Sequence, residues 1–189
     1  MVNIVTEVCY NLQKVPTDPL LRIAELIERE TFYNKATVYL AGNGGSSATM
    51  SHLASDLSKL GISTKCLIDN VPELTAGAND DGWDQVYVSM VAGKVRAGDI
   101  LILASVNGST GVSPDGQPWS SNLLELAWYF RQECAYIVVF SGNNGGNLSK
   151  ETAYSIVLES KDPYVVESVH SVWAHALVSE IKTLQEKER

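Results

Sequence analysis

Short apolar runs alternate with amphipathic stretches along the chain. Four segments are apolar at nearly every position, 37–41, 99–104, 135–140 and 154–158, and a fifth, 64–68, is shorter in apolar content but also reads as a strand. Runs of this kind predict strands buried on both faces, as in a parallel sheet. Helical periodicity fills the gaps. Residues 2–13 predict a short first helix. Asp18 before Pro19 is a helix-start signal: a side-chain cap, then a proline whose missing N–H costs nothing. Leu20, Leu21, Ile23, Ala24, Leu26 and Ile27 follow on one broad apolar stripe. Further helices are expected from Ala48 to about Leu60, from about Trp83 to Val95, over 121–133 and from about 164 to 186. Strands alternating with helices imply an α/β fold with a parallel sheet covered on both faces. Ligands of such sheets bind beyond the carboxyl ends of the strands. The segments 42–47, 69–82, 105–120 and 141–146 are therefore the places to look for chemistry.

Composition narrows the class. With 189 residues, 45% hydrophobic and 19% charged, the chain has the make-up of one folded domain, 1–189, with a helical N-terminal segment over about 1–33. A net charge of −8 argues against nucleic acid as a partner. No apolar run reaches the roughly 18 residues of a membrane span. A start that lacks a basic stretch and an apolar block predicts no secretory signal, hence a cytoplasmic protein. Cys9, Cys66 and Cys134 form no CxxC pair and are odd in number, which fits a reducing compartment. They read as small, partly buried apolar side chains.

The glycine-rich turn is the first chemical candidate. Gly42-Asn43-Gly44-Gly45-Ser46-Ser47 follows a predicted strand and opens a predicted helix. Glycines admit a close ligand, and free N–H groups at a helix start favour an anion. The P-loop ending Gly-Lys-Ser/Thr is missing, and Ser47 stands where a dinucleotide fingerprint has its last glycine. A plain strand-to-helix turn would look similar, but Ser105-Val106-Asn107-Gly108-Ser109-Thr110 offers a second polar loop at an equivalent strand end. His52 and Asp56 are spaced i, i+4 and share a helix face. Glu167, His170 and His175 fall on the last predicted helix. Two histidines with two carboxylates would suit zinc or another divalent ion, though solvated polar faces are the plainer alternative. Glu167 and His175 are about 12 Å apart along an ideal helix, so His170 is the easier neighbour for Glu167.

These residues resemble the sugar isomerase (SIS) family, and within it the phosphoheptose isomerases. Gly42-Asn43-Gly44-Gly45-Ser46 with His52 and Asp56 is similar to the family's Gly-Asn-Gly-Gly-Ser followed by His-x-x-x-Glu. Asn79-Asp80-Asp81-Gly82-Trp83 is similar to its Asn-Asp-x-Gly-Phe, and Gly98-Asp99-Ile100-Leu101 to its Gly-Asp-x-Leu strand entry. Glu167-Ser168-Val169-His170 through His175 is similar to its Gln-Glu-x-His…His stretch. The resemblance implies a three-layer sandwich with a five-stranded parallel sheet flanked by helices, and a homotetramer. It implies isomerisation of a ketose phosphate, sedoheptulose 7-phosphate or a close relative, to the aldose phosphate. It maps the metal ligands onto His52, Asp56, Glu167 and His175, with zinc as the expected ion and Asp56 and His175 as the catalytic pair. Substrate contacts map onto Asn43, Gly44, Gly45, Ser46, Asn79, Asp80, Ser105, Asn107, Thr110 and Glu167. Three departures stand out: Asp56 for Glu, Glu167 for Gln, and Val106 and Asn107 for hydroxyls of the phosphate loop, with an apparent insertion over 111–119. They leave a second expectation open: a non-catalytic SIS protein that binds a sugar phosphate or a protein partner.

Overall fold

The computed structural model describes residues 3–14, 17–112, 116 and 119–187. The five expected segments form strands β1 (Val38–Gly42), β2 (Thr64–Cys66), β3 (Ile100–Ser105), β4 (Tyr136–Ser141) and β5 (Tyr154–Val157). They make one sheet in the order β2-β1-β3-β4-β5, with every neighbouring pair parallel. Side chains alternate between the two faces. Val38, Leu40, Ile100, Ile102, Val138 and Phe140 enter one core, which α2 (Thr17–Tyr33), α3 (Gly45–Lys59) and α7 (Pro163–Lys187) cover. Tyr39, Leu101, Leu103 and Val139 enter the other, beneath α5 (Val86–Val91) and α6 (Ser121–Gln132). The result is the expected three-layer α/β sandwich. Helix α1 (Ile4–Leu12) packs on α7, and α4 (Val71–Asp80) precedes α5.

The strand-entry motif has a structural purpose. Asp99 is buried, and its carboxylate accepts the Thr37 N–H and the Arg96 N–H, each at 2.8 Å. One side chain thus ties the start of β3 to the start of β1 and satisfies two backbone donors.

Several sequence expectations shift. The segment 69–82, expected to be a loop, contains α4. Asn70 accepts the Glu73 N–H and Pro72 occupies the first turn, so a helix start was written there. None of its residues is buried, which left no apolar stripe to announce it. The helix expected from Trp83 to Val95 contracts to Val86–Val91. Helix α2 already includes Thr17, so Asp18 sits in its first turn. Helix α3 starts at Gly45 instead of Ala48, which shortens the turn after β1 to Asn43 and Gly44; Gly44 has φ +58°. The 111–119 insertion lies partly outside the described residues. Among the described residues, no helix is long and apolar enough to cross a membrane.

Strand β1 has β2 on one side and β3 on the other. The chain changes direction across the sheet there, which opens a crevice between the carboxyl ends of β1 and β3.

Candidate active site

The crevice contains the glycine turn. Asn43, Gly44, Ser46, Ser105 and Asn107 line a cavity of about 230 Å³ at the start of α3. Ser46 is only 1% exposed, and its hydroxyl has no hydrogen-bond partner among the described residues. A buried, unpartnered hydroxyl at a helix N-terminus is suited to an anionic ligand.

A network missed in the sequence holds this turn. The side-chain amide of Asn43 donates to Asn122 Oδ1 at 2.9 Å, and that of Asn122 donates back to Asn43 Oδ1 at 3.1 Å. The buried Tyr87 hydroxyl donates to the Gly42 carbonyl at 3.0 Å and to Asn43 Oδ1 at 3.3 Å. Burial holds that phenol well above its usual pKa, as a neutral donor. Asn43 is therefore at the site but serves first as part of its frame. Asn122 sits in the first turn of α6 and Tyr87 within an apolar helix, and neither position shows in sequence that it reaches the glycine turn.

The loop after β3 is self-satisfied. Ser105 Oγ accepts the Gly108 N–H at 3.1 Å, Asn107 Oδ1 accepts the Ser109 N–H at 3.0 Å, and the Asn107 carbonyl accepts the Thr110 N–H at 3.1 Å. The Ser109 hydroxyl donates to the carbonyls of Trp119 and Ser120. The second glycine turn, 141–146, supports this loop. A Cβ at Gly108 would fall 2.3 Å from the Gly145 oxygen, and one at Gly146 would fall 2.4 Å from the Gly108 oxygen. These glycines permit backbone to lie on backbone.

The histidine cluster forms where α3 crosses α7. His52 Nε2 lies 3.2 Å from Asp56 Oδ2, and the His175 ring stands 5.1 Å from that of His52, nearly perpendicular. One ligand atom from each of His52, Asp56 and His175 falls within 4.8 Å of the others. Two imidazoles and one carboxylate fit a divalent cation of the zinc type, with a further position open. Lys59 Nζ donates to Asp56 Oδ1 at 2.8 Å, and this hydrogen bond is the main cause holding the Asp56 carboxyl below its usual pKa. Asp56 is thus ionised at neutral pH, as a ligand must be.

Other predicted residues fall elsewhere. Glu167 is not in the cluster. Its carboxylate lies over Gly45, where a Cβ would meet Oε2 at 2.2 Å, and it shares a cleft with His52 and Ser171. The regular α7 keeps it two turns from His175, as the spacing warned. Asn79 and Asp80 stand exposed at the end of α4, with Asn79 donating to Asp80 at 2.8 Å, and line none of these clefts. His170 is a core residue between Phe140 and Trp173. Neither of its ring nitrogens has a well-formed hydrogen bond among the described residues. Burial pushes its pKa down to about 4, with the Ser141 backbone opposing only in part.

Comparison with known proteins bears on this arrangement. No family model matches the chain. A phosphoheptose isomerase of Mycobacterium tuberculosis is 29% identical over 153 residues, covering 78% of this chain and 73% of that one. The lincomycin biosynthesis protein LmbN of Streptomyces lincolnensis is 31% identical over 159 residues, covering 78% of this chain and 56% of that one. The structure of phosphoheptose isomerase GmhA from Neisseria gonorrhoeae superposes with a TM-score of 0.81 at 23% identity, over 93% of this chain and 91% of that one. In sequence the chain is similar to phosphoheptose isomerases, and its fold is the one that the phosphoheptose isomerase GmhA adopts.

Proposed function

We propose that the protein is an aldose–ketose isomerase of phosphorylated sugars, acting on sedoheptulose 7-phosphate or a close relative. The observation that carries this reading is the line of clefts from Ser46 past Gly45 and Glu167 to His52, Asp56 and His175. Its two ends suit the two ends of such a substrate. The phosphate sits at the α3 N-terminus and Ser46, with Ser105, Asn107 and Thr110 as the second wall. The opened sugar runs along Gly44 and Gly45 under Glu167. His52, Asp56 and His175 would hold a divalent ion, most simply zinc. When bound, such an ion polarises the sugar carbonyl and hydroxyl oxygens.

The chain's own residues move the protons. Asp56 takes a proton from C1 of the ketose and returns it to C2, by way of an enediol. His175 carries the compensating proton between the O2 and O1 oxygens. Asp56 cannot hold a cation and act as base through the same lone pair, so one of its oxygens must be released. Lys59 is the partner that can keep the carboxylate in place meanwhile. Geometry precedes pKa in assigning such roles.

A homotetramer goes with this reading. Exposed Tyr10 on α1 and Tyr164 and Val172 on α7 supply apolar surface for assembly. A cytoplasmic setting goes with it too, supported by the free thiols of Cys9, Cys66 and Cys134. The test is metal analysis of the purified protein beside an assay of sedoheptulose 7-phosphate isomerisation. Stoichiometric metal with turnover supports the proposal, and near-normal turnover by Asp56→Asn overturns the assigned mechanism. One observation favours a second reading, a non-catalytic sugar-phosphate binder. The backbone donors of Gly108, Ser109 and Thr110 are spent within their own loop, which weakens the phosphate grip. Saturable binding of the sugar phosphate without metal or turnover would select it.

A further inference from the structure

The cation cluster depends on one helix crossing. His52 and Asp56 sit on α3 at i, i+4, so their own helix holds them together. His175 comes from α7, and only the crossing of the two helices brings it to them. Thr49 stands one turn before His52, and Ser171 one turn before His175. Their hydroxyl oxygens lie 3.1 Å apart. Among the described residues this is the one side-chain hydrogen bond between α3 and α7. Its direction follows from the protons available. The Ser171 hydroxyl donates to the Glu167 carbonyl at 3.0 Å, which commits its single proton, so Thr49 donates and Ser171 accepts. The pair also stands between two openings. Thr49 and Ser171 line the cleft that holds Gly45 and Glu167, and they line a cavity of about 20 Å³ together with His52, Asp56 and His175. With space on both sides, few side chains are left to set the helix spacing at this level. Leu57 and Leu177, which anchor the same helices in the apolar core, lie further along them.

We infer that Thr49 and Ser171 are positioning residues for the cation site. Their hydrogen bond fixes the spacing of α3 and α7, so that His175 is held opposite His52 and Asp56 before an ion arrives. Neither hydroxyl has to touch the ion. Zinc–nitrogen bonds of about 2.0–2.1 Å leave little tolerance in that spacing. A ligand set already in place binds more tightly, because the ion does not have to order it. Thr49 is only 7% exposed, and a hydroxyl buried to that degree is costly unless it is paired. The inference rests on the proposed function only for the cation site at His52, Asp56 and His175.

Titration of the full chain with zinc, in competition with a chromophoric chelator, tests it. Urea unfolding of the metal-free protein and the sedoheptulose 7-phosphate assay run beside it. Thr49→Val keeps the side-chain shape and removes the donor. It should weaken zinc binding about five-fold, the worth of one such hydrogen bond. Ser171→Ala should weaken it by a similar factor, and the double variant little further, because both remove one contact. Thr49→Ser keeps the hydroxyl and should retain the parent's affinity. Should Thr49→Val fail to fold, Ser171→Ala against Ser171→Thr reads the same contact. A Thr49→Val protein with a lower urea midpoint but unchanged zinc affinity overturns the inference, since the hydrogen bond then serves the fold alone. Equal loss of zinc affinity in Thr49→Ser and Thr49→Val overturns it too. Turnover by a parent chain that binds no zinc sinks this inference and leaves the isomerase reading. Zinc binding that weakens as expected in a chain without turnover sinks the isomerase reading and keeps this one.

Discussion

Replacing Gly45 with alanine should separate the site from the fold. A Cβ built there falls 2.2 Å from Oε2 and 2.4 Å from Cδ of Glu167, so the carboxylate must move. The obstacle is the far end of a flexible, partly exposed side chain. Turning it off its preferred torsion costs about 0.5–1.5 kcal/mol. Alanine at a compatible backbone position returns about 0.4–1 kcal/mol over glycine, and Gly45 is not among the residues with positive φ. The two nearly cancel. At about 2–4 °C per kcal/mol for a chain of this size, Tm should stay within about 5 °C of the parent. Activity should not. Displacing Glu167 from the glycine turn removes a charged hydrogen-bonding group from the sugar cleft, worth about 1.5–3 kcal/mol. That corresponds to about 10- to 150-fold in kcat/KM. Thermal unfolding and the isomerisation assay read the two effects separately. Gly45→Ala in a Glu167→Ala background should cost little more than Glu167→Ala alone, because both act through one contact. A Tm loss above about 10 °C would show that the backbone itself requires glycine. An unchanged kcat/KM would show that Glu167 does not touch the substrate. Either result refutes the reasoning.

Other expectations follow from the same geometry. Asp56→Asn should lower bound metal and reduce kcat by about 100-fold or more, read by metal analysis and turnover, since it removes both a ligand and the proposed base. His170 should make the fold acid-sensitive. Its folded pKa, about 4, lies below the unfolded value of about 6.5, so the unfolded chain binds the extra proton. Its neutral form is tolerated in full above about pH 6.5, and stability is lost as pH falls from there toward about 4. Urea midpoints at pH 7 and pH 5 should therefore differ less for His170→Phe than for the parent. Ile102→Ala, at a fully buried position of the central strand β3, should cost about 2–5 kcal/mol, seen as a lower urea midpoint. Asp99→Ala should cost about 2 kcal/mol or more by leaving the Thr37 and Arg96 N–H groups unpaired, with little effect on metal content.

The alternation of apolar runs and helical stripes in this sequence carries the layered α/β architecture. Strands buried on both faces have to be apolar throughout, and that is a local property of the chain. The i, i+4 spacing of His52 and Asp56 likewise puts both on one face before any tertiary contact forms. Helix α4 escaped because it buries no residue and so writes no stripe, although its cap at Asn70 was legible. What only the tertiary structure decides is which distant residues meet. The crossing of α3 and α7 brings His175 to His52 but leaves Glu167 over Gly45, two turns away. Sheet order sets the crevice between β1 and β3, and there Asn43 finds Asn122 and Tyr87, partners with no mark in the sequence. The physical reason is one of range. Periodicity and caps depend on neighbours along the chain, whereas the site is assembled by packing helices on a shared sheet, where sequence distance says nothing about distance in space.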